Sequence, residues 1–481
     1  MDGKRVKKIF YCWWWVILGV IVFLLRLPSL FEPFTYGDEG VYLTLGQAVR
    51  KGLTLYKDIH DNKPPLLYFL AAAAGNFSSF RLTLFLWSLT TIYLFSKLTK
   101  LIFKNKNAQI LTAFIFAILT SIHTFEGNVG NAENFMMLLT LAGFYLMLKN
   151  YSWFWAGIML SLAALFKVPA SFDFGALLVF GILTSKSRLE KLLQKTREAI
   201  FGFLLPIILT LVYYANRGAL SVYLSATFFQ NIPYLASWVG TQTQRWGGLP
   251  WFLLARGILL LGVVIILFLF RKRFSHAAIL VVSWFSFSLF AALLSSRPYP
   301  HYLLQVMPAL ALSFGLIMAK TKEKIVPLVL SFLLAFSFLY FKFWHYPNIS
   351  YYQNFYQFAV GQKSKEEYFN YFGKQTKALY QTATFLKLHT SPQEKIFIWG
   401  NQPSIYALAN RLPIGRYTVA YHIIDFNGYQ ETINALAKNP PRFLVISSEE
   451  KRPFPALFSF IQSNYTPFLR IGDFNMLKLK K

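Results

Sequence analysis

The sequence predicts a polytopic α-helical membrane protein that ends in a small α/β domain. Three observations carry this. Apolar runs of about 17–25 residues, the length that crosses a bilayer, recur down the first 344 positions. The segments between them hold short basic runs, the charge pattern of cytoplasmic loops. After residue 345 the apolar runs give way to short alternating strand and helix signals.

Composition agrees, with 55% hydrophobic residues and only 14% charged. A net charge of +28 would point to nucleic acid in a soluble chain. Here the charge clusters between apolar runs, so it reports topology and argues against a nucleic-acid partner. Cys12 is the single cysteine and lies in the first apolar run. An intrachain disulfide and a thiolate zinc site are both excluded.

The elements follow in order. The N-terminus reads KRVKKIFYCWWWVILGVIVFLL, a basic start before an apolar core. The core is too long for a cleaved signal peptide, and RLPSLFEP after it lacks a small-x-small cleavage site. This is an uncleaved signal anchor with its N-terminus in the cytoplasm. Basic runs follow at 97–106, 185–197, 271–273 and 320–324. Keeping all of them inside requires about eleven transmembrane helices, near 10–30, 81–101, 108–124, 134–149, 152–168, 172–184, 198–216, 250–270, 276–295, 302–319 and 325–344. The stretches 31–80, 125–133, 217–249 and 296–301 then lie outside, as does the C-terminus. PPLLYFLAAAAG, within 64–80, is too short to span and reads as an interfacial helix, with a re-entrant segment as the alternative.

The expected organisation is a transmembrane module over 1–344 with the outer loop 31–80, an interfacial linker over 345–390, and an extracytoplasmic α/β domain over 391–481. Strands are expected at 395–400, 442–448, 468–474 and 475–480, and helices at 403–411, 430–438 and 454–464. Internal repeats of solenoid or inverted-transporter type are absent from the sequence pattern.

The outer loop carries the chemistry. YGDEGVYLTLGQAVRKGLTLYKDIHDNKPP, residues 36–65, holds three Asp, one Glu, one His and four Lys or Arg. Val41, Tyr42, Leu45, Ala48 and Val49 share one helical face, and Gly52 ends the helix. Asp38 and Glu39 fall at its N-terminus, where the dipole favours carboxylates; the plain reading of Asp38 alone is an N-cap. Asp58, His60 and Asp61 then run into Lys63-Pro64-Pro65, whose prolines fix an extended turn and aim Lys63. A second acidic element, EGNVGNAENF, ends at Glu133 near the mouth of a span. Lys167, in LFKVPA, sits at the outer end of an apolar helix, where snorkelling to headgroups competes with a functional role. SSRPYPHYLLQVMPALAL places Arg297 and His301 in a short outer loop beside Tyr299 and Tyr302, and the tyrosines also read as an aromatic belt.

Taken together, DEGVY, KGLTLYKDIHDNKPPLLYFL, NAENFMML, LFKVPA and RPYPHYLLQVMPALAL resemble the membrane glycosyltransferases of the C-type fold. The similar branch is the bacterial one of the lipid A aminoarabinose transferases and protein O-mannosyltransferases. The resemblance covers residues 1–344 in order and topology, and the C-terminal domain with weaker motifs. It implies a sugar donor linked through phosphate to a polyprenol, inversion at the anomeric carbon, and a bacterial inner-membrane location. It further implies that Asp38 is the catalytic base, that Glu133 is the second acidic catalytic position, and that Lys63 lies near the donor phosphate. Arg297 and His301 match a loop close to the active site, and Glu39, Tyr42, Lys167 and Tyr302 join them as substrate-binding candidates. This sequence has Asn62 where the aminoarabinose transferases carry a Glu associated with a metal, which puts a metal there in question. Asp58, His60 and Asp61 are the nearby candidate ligands, and a divalent cation stays open as a cofactor.

The expected function is therefore transfer of a sugar from a polyprenyl-phosphate donor to an acceptor hydroxyl on the outer face of the membrane. The acceptor, whether glycan, lipid or protein, is not legible. A transporter or flippase for a lipid-linked saccharide is the alternative; it also needs an amphipathic groove, but the charges gather at one face rather than at the midplane. A structural subunit in which Asp38 only caps a helix is the third reading.

Overall fold

A computed structural model describes residues 3–232, 245–246, 249–318 and 322–480. Most of the expected outer stretch 217–249 beyond Ile232, and Lys320 and Thr321 of the basic run 320–324, lie outside the described residues. The chain divides into two compact units.

The first unit comprises Met1–Ser29, Leu84–Val212 and Ile232–Asn348. A helix stands at each expected crossing. Five segments are long and apolar enough to span a bilayer: Trp13–Leu30, Phe77–Ile102, Leu189–Asn216, Trp251–Phe270 and Pro300–Met318. Lys106–Leu119, Ala132–Leu148, Trp153–Ala164, Val168–Thr184, His276–Ala292 and Val326–Tyr340 are shorter apolar helices. The span expected near 152–168 ends early, because Pro169 opens a 3-10 turn at Val168–Ala170 and cannot continue the preceding helix. Lys167 therefore sits on extended backbone in a break between two helices.

Aromatic stacking fills this unit's core, with Phe144 3.8 Å from Trp284 and Phe95 3.9 Å from Phe116, centroid to centroid. Helices Trp153–Ala164 and Leu189–Asn216 cross at small residues: a Cβ on Gly157 or Gly202 would strike the facing backbone. Trp251–Phe270 leaves Ile258, Leu259 and Leu261 uncovered, as a lipid-facing helix does.

The second unit comprises Leu30–Thr83, Tyr213–Asn231 and Ile349–Lys481. The helix Gly37–Arg50 starts where expected, and Gly52 takes the left-handed conformation after it. It is buried on all sides from Glu39 to Ala48 rather than along one face, which corrects the amphipathic reading. The cause is a second packing surface contributed from more than 350 residues away: Thr44 bonds Pro403 O and Gln47 bonds Ala407 O. Gly40 packs against Ser404, and Gly46 lies on the backbone of Ala71 and Ala72 in the short helix Leu66–Ala74.

The last ninety residues form the expected α/β layer. Phe397–Trp399 pairs in parallel with Phe443–Ser447, which pairs antiparallel with Phe474–Leu479, which pairs antiparallel with the edge strand Tyr465–Ile471. Alternate side chains feed two cores. Ile398, Val445 and Met476 join the one containing Leu379 and Leu386, while Phe397, Trp399 and Leu444 join the other with Phe454 and Leu457. The edge strand begins at Tyr465, N-terminal to its expected start at 468. One helix of this layer, Ala420–Asp425, was not expected.

Candidate active site

In the second unit the helix Gly37–Arg50 presents Asp38 in its first turn. The N-cap is Tyr36, which makes no side-chain cap bond, so Asp38 is not the capping residue. Its carboxylate instead accepts a 2.8 Å hydrogen bond from the Tyr42 hydroxyl, one turn on, and lies 3.5 Å from Lys63 Nζ. The Lys63 ammonium also sits 4.9 Å from the centroid of the Tyr42 ring. Burial and the Asp38 charge push the Tyr42 phenol well above its usual pKa, so it stays a donor. Asp38 and Lys63 keep 31% and 24% of their side chains exposed, enough for a solute to reach them.

The Asp58-to-Pro65 loop is built to hold Lys63. Tyr56 donates to Lys63 O at 2.8 Å, and Lys63 N donates to the Tyr68 hydroxyl at 3.3 Å. Tyr68 in turn donates to Asp61 at 2.7 Å. Both peptide groups of Lys63 are thereby fixed by buried tyrosines.

Glu39 has different surroundings from its neighbour. It is buried and receives two bonds from Arg81, at 2.9 and 3.1 Å. Arg81 also binds the carbonyls of Glu32 and Pro33. The structure thus places Glu39 in an ion pair that ties the loop entry to the helix Phe77–Ile102.

The candidate metal ligands do not converge. Asp58 is exposed and accepts from Thr54 N; Asp61 is used by Tyr68 and by Asn62 N. His60 is enclosed by Tyr417 and Phe426, and neither ring nitrogen makes a hydrogen bond. Burial, with His422 and Arg416 nearby, lowers its pKa to about 3. Among the described residues no group of three His, Cys, Asp or Glu is arranged to hold a metal ion. The donor set does not fit a resident divalent cation.

The first unit gathers the other candidates into a cluster of its own. Glu133, in the first turn of Ala132–Leu148, forms a very short ion pair with Lys167. Lys167 also sits 3.6 Å from the centroid of the Tyr302 ring. His301 Nε2 lies 3.9 Å from Glu133, and its Nδ1 lies 2.5 Å from Glu126. Tyr299 stacks on His301, and Arg297 is half-buried two residues earlier in the chain.

Two acidic residues in this unit were not among the expected site residues. Glu126 is buried, accepts from Asn131 at 2.9 Å, and occupies the left-handed region that non-glycine residues rarely enter. Its partner His301 is 175 residues away, so no local spacing announced the pair. Asp173 accepts from Trp284 Nε1 at 3.0 Å and from Gln305 Nε2 at 2.8 Å. It ties two helices to the turn Pro300–Val306 that carries His301 and Tyr302.

A bundle of apolar helices followed by a small α/β layer, with the Asp38–Lys63 ion pair in the first long loop, is the architecture of this chain. Solved structures share the fold. The chain is similar to the aminoarabinose transferase ArnT from Cupriavidus metallidurans bound to undecaprenyl phosphate, with a TM-score of 0.57 at 12% identity, over 96% of this chain and 97% of that one. It is likewise similar to the apo state of that protein, with a TM-score of 0.53 at 11% identity, over 98% of each chain. At these identities the likeness is one of fold. No protein-family model matches the sequence, and no curated protein does.

Proposed function

We propose that the protein is an integral membrane glycosyltransferase that moves a sugar from a polyprenyl-phosphate donor to an acceptor hydroxyl on the extracytoplasmic face, with inversion at the anomeric carbon. The observation that carries this reading is the Asp38–Lys63 pair, accessible, 3.5 Å apart, and held by tyrosines on both partners. Support comes from the shared fold with a protein solved with undecaprenyl phosphate.

The chemistry follows from the pair. The acceptor oxygen attacks the anomeric carbon while Asp38 takes its proton. The bond from that carbon to the phosphate oxygen breaks, and the lipid phosphate leaves with the electron pair. Lys63 balances the charge on the departing phosphate, in a setting where a fixed cation acts strongly. Asp38 acts as the general base in this step. General-base assistance of this kind is worth roughly 10²–10⁴-fold. Glu133, steadied by Lys167 and His301, serves in the same reading to orient sugar or acceptor. The N-terminus is cytoplasmic and the α/β layer extracytoplasmic.

The test is transfer in vitro. Purified protein receives a panel of radiolabelled polyprenyl-phosphate sugars together with host membrane extract. Label that leaves the donor with wild type but not with Asp38→Asn supports the reading, and the labelled product identifies the acceptor. Equal transfer by the variant removes Asp38 from the chemistry. Lipid binding without transfer from any donor favours a carrier for lipid-linked saccharides.

A further inference from the structure

We propose that His422, contributed by the C-terminal α/β layer, is a positioning residue for Lys63 and acts through Asp61. The inference rests on the reading of Lys63 as the cation that meets the donor phosphate.

His422 lies on the short helix Ala420–Asp425, whose start is fixed by Ala420 N bonding Gly400 O at 2.9 Å and by Tyr421 N bonding Asn401 at 3.3 Å. Gly400 and Asn401 come directly after the strand that ends at Trp399, so these bonds tie the imidazole to the sheet. The ring is 4% exposed, with Nε2 3.6 Å from Asp61 Oδ1, while Nδ1 makes no hydrogen bond among the described residues. Asp61 is the far end of the chain of contacts that fixes Lys63: its other oxygen accepts from Tyr68, and Tyr68 accepts from Lys63 N. A small approach of Nε2 turns the 3.6 Å contact into a hydrogen bond and pins the carboxylate on which Tyr68 hangs.

The choice of residue fits the charges around it. The carboxylates of Asp61, Asp425 and Asp38 and the Lys63 ammonium lie within electrostatic reach of the ring, and His60 stands 6.0 Å away, centroid to centroid. A neutral imidazole steadies Asp61 without adding a second cation, which leaves Lys63 as the charge that a phosphate meets. A lysine or arginine at 422 would compete for Asp61 and for the phosphate itself. The plain alternative is a packing role, since Tyr421 and Phe426 both touch the ring.

The experiment measures binding of undecaprenyl phosphate alone to the purified full chain, beside sugar transfer. His422→Gln places an amide nitrogen near the position of Nε2, His422→Asn places one near Nδ1, and His422→Phe keeps the aromatic packing. Binding is expected to weaken roughly tenfold in the Phe and Asn variants and to stay near wild type in the Gln variant. In an Asp61→Asn background, His422→Phe is expected to add less than about twofold, because the intermediary is already lost. Wild-type binding by the Phe variant overturns the proposal. So does equal binding by the Gln and Asn variants, a comparison that holds even if the Phe variant does not fold. Failure of the transferase reading looks different: wild type transfers no sugar from any donor, whatever the His422 variants do to lipid binding.

Discussion

Asp38 and Glu39 are adjacent carboxylates in opposite surroundings: Asp38 is 31% exposed beside Lys63, while Glu39 is 1% exposed beneath Arg81. Their substitutions should separate activity from stability. Asp38→Asn loses one partly exposed ion pair, worth at most about 1 kcal/mol, and is expected to keep its thermal midpoint in detergent while transfer falls by roughly 10²–10⁴. Glu39→Ala strands a buried guanidinium and is expected to cost about 3–5 kcal/mol, seen as a midpoint many degrees lower. A Glu39 variant that is stable but inactive would return that residue to the substrate site.

Tyr42 donates a hydrogen bond to Asp38 that favours the ionised carboxylate. Tyr42→Phe removes the donor and leaves the ring under Lys63. Hydrogen bonds to charged groups are worth about 1.5–3 kcal/mol, so losing this one disfavours the ionised carboxylate. The acid limb of the kcat/KM profile is expected to move up in pH, with a smaller change on the plateau. An unmoved acid limb would mean that Asp38 is not the group titrating there.

The parts that a bilayer or a sheet imposes were legible in the sequence. An apolar run at each of the eleven positions became a helix, because length and hydropathy leave no other structure for them in lipid. The strand signals at 395–400 and 442–448 held because both faces of that sheet are covered, giving continuous apolar runs. What stayed hidden was pairing across long separations. Glu126 was quoted as part of an acidic stretch, but its value comes from His301. Arg81 opens the span expected near 81–101, and its pairing with Glu39 has no local signature. His422 meets Asp61 from the far end of the chain. The start of the helix that carries Asp38 was legible, while its all-round burial was not, since the surface that buries its other face begins at Pro403.

Acid should destabilise the second unit through its buried histidines. His60 has a folded pKa near 3 against about 6.5 when unfolded. The unfolded chain therefore binds the extra proton between those values, and stability falls as pH drops through that window. Above pH 6.5 the full stability is present. Each pH unit inside the window costs up to about 1.4 kcal/mol for this one group, and His422, also lowered by burial, adds in the same direction. His60→Phe suits the aromatic surroundings of Tyr417 and Phe426 and is expected to flatten the midpoint-versus-pH curve from 6.5 downward. An equally steep curve in the variant would assign the acid sensitivity to other groups.

Gly46 tests whether close helix packing positions the pair. A Cβ there would come within 2.6 Å of Ala72 N and 2.7 Å of Ala71 C, both backbone atoms that cannot swing aside. Gly46→Ala must push the helix Gly37–Arg50 away from Leu66–Ala74, the helix that carries Tyr68. The expected cost is about 1–3 kcal/mol, together with a lower transfer rate, because Asp38 rides on one of these helices and the Tyr68 anchor of Lys63 on the other. Gly257→Ala is the control. It lies on the lipid-facing helix Trp251–Phe270, its Cβ would meet no atom within 4 Å, and alanine should gain up to about 1 kcal/mol from helix propensity. Midpoints that fall for Gly46→Ala and hold or rise for Gly257→Ala would locate the constraint in the packed backbone. Equal behaviour of the two would show that the loop tolerates the shift and that Lys63 reaches Asp38 without it.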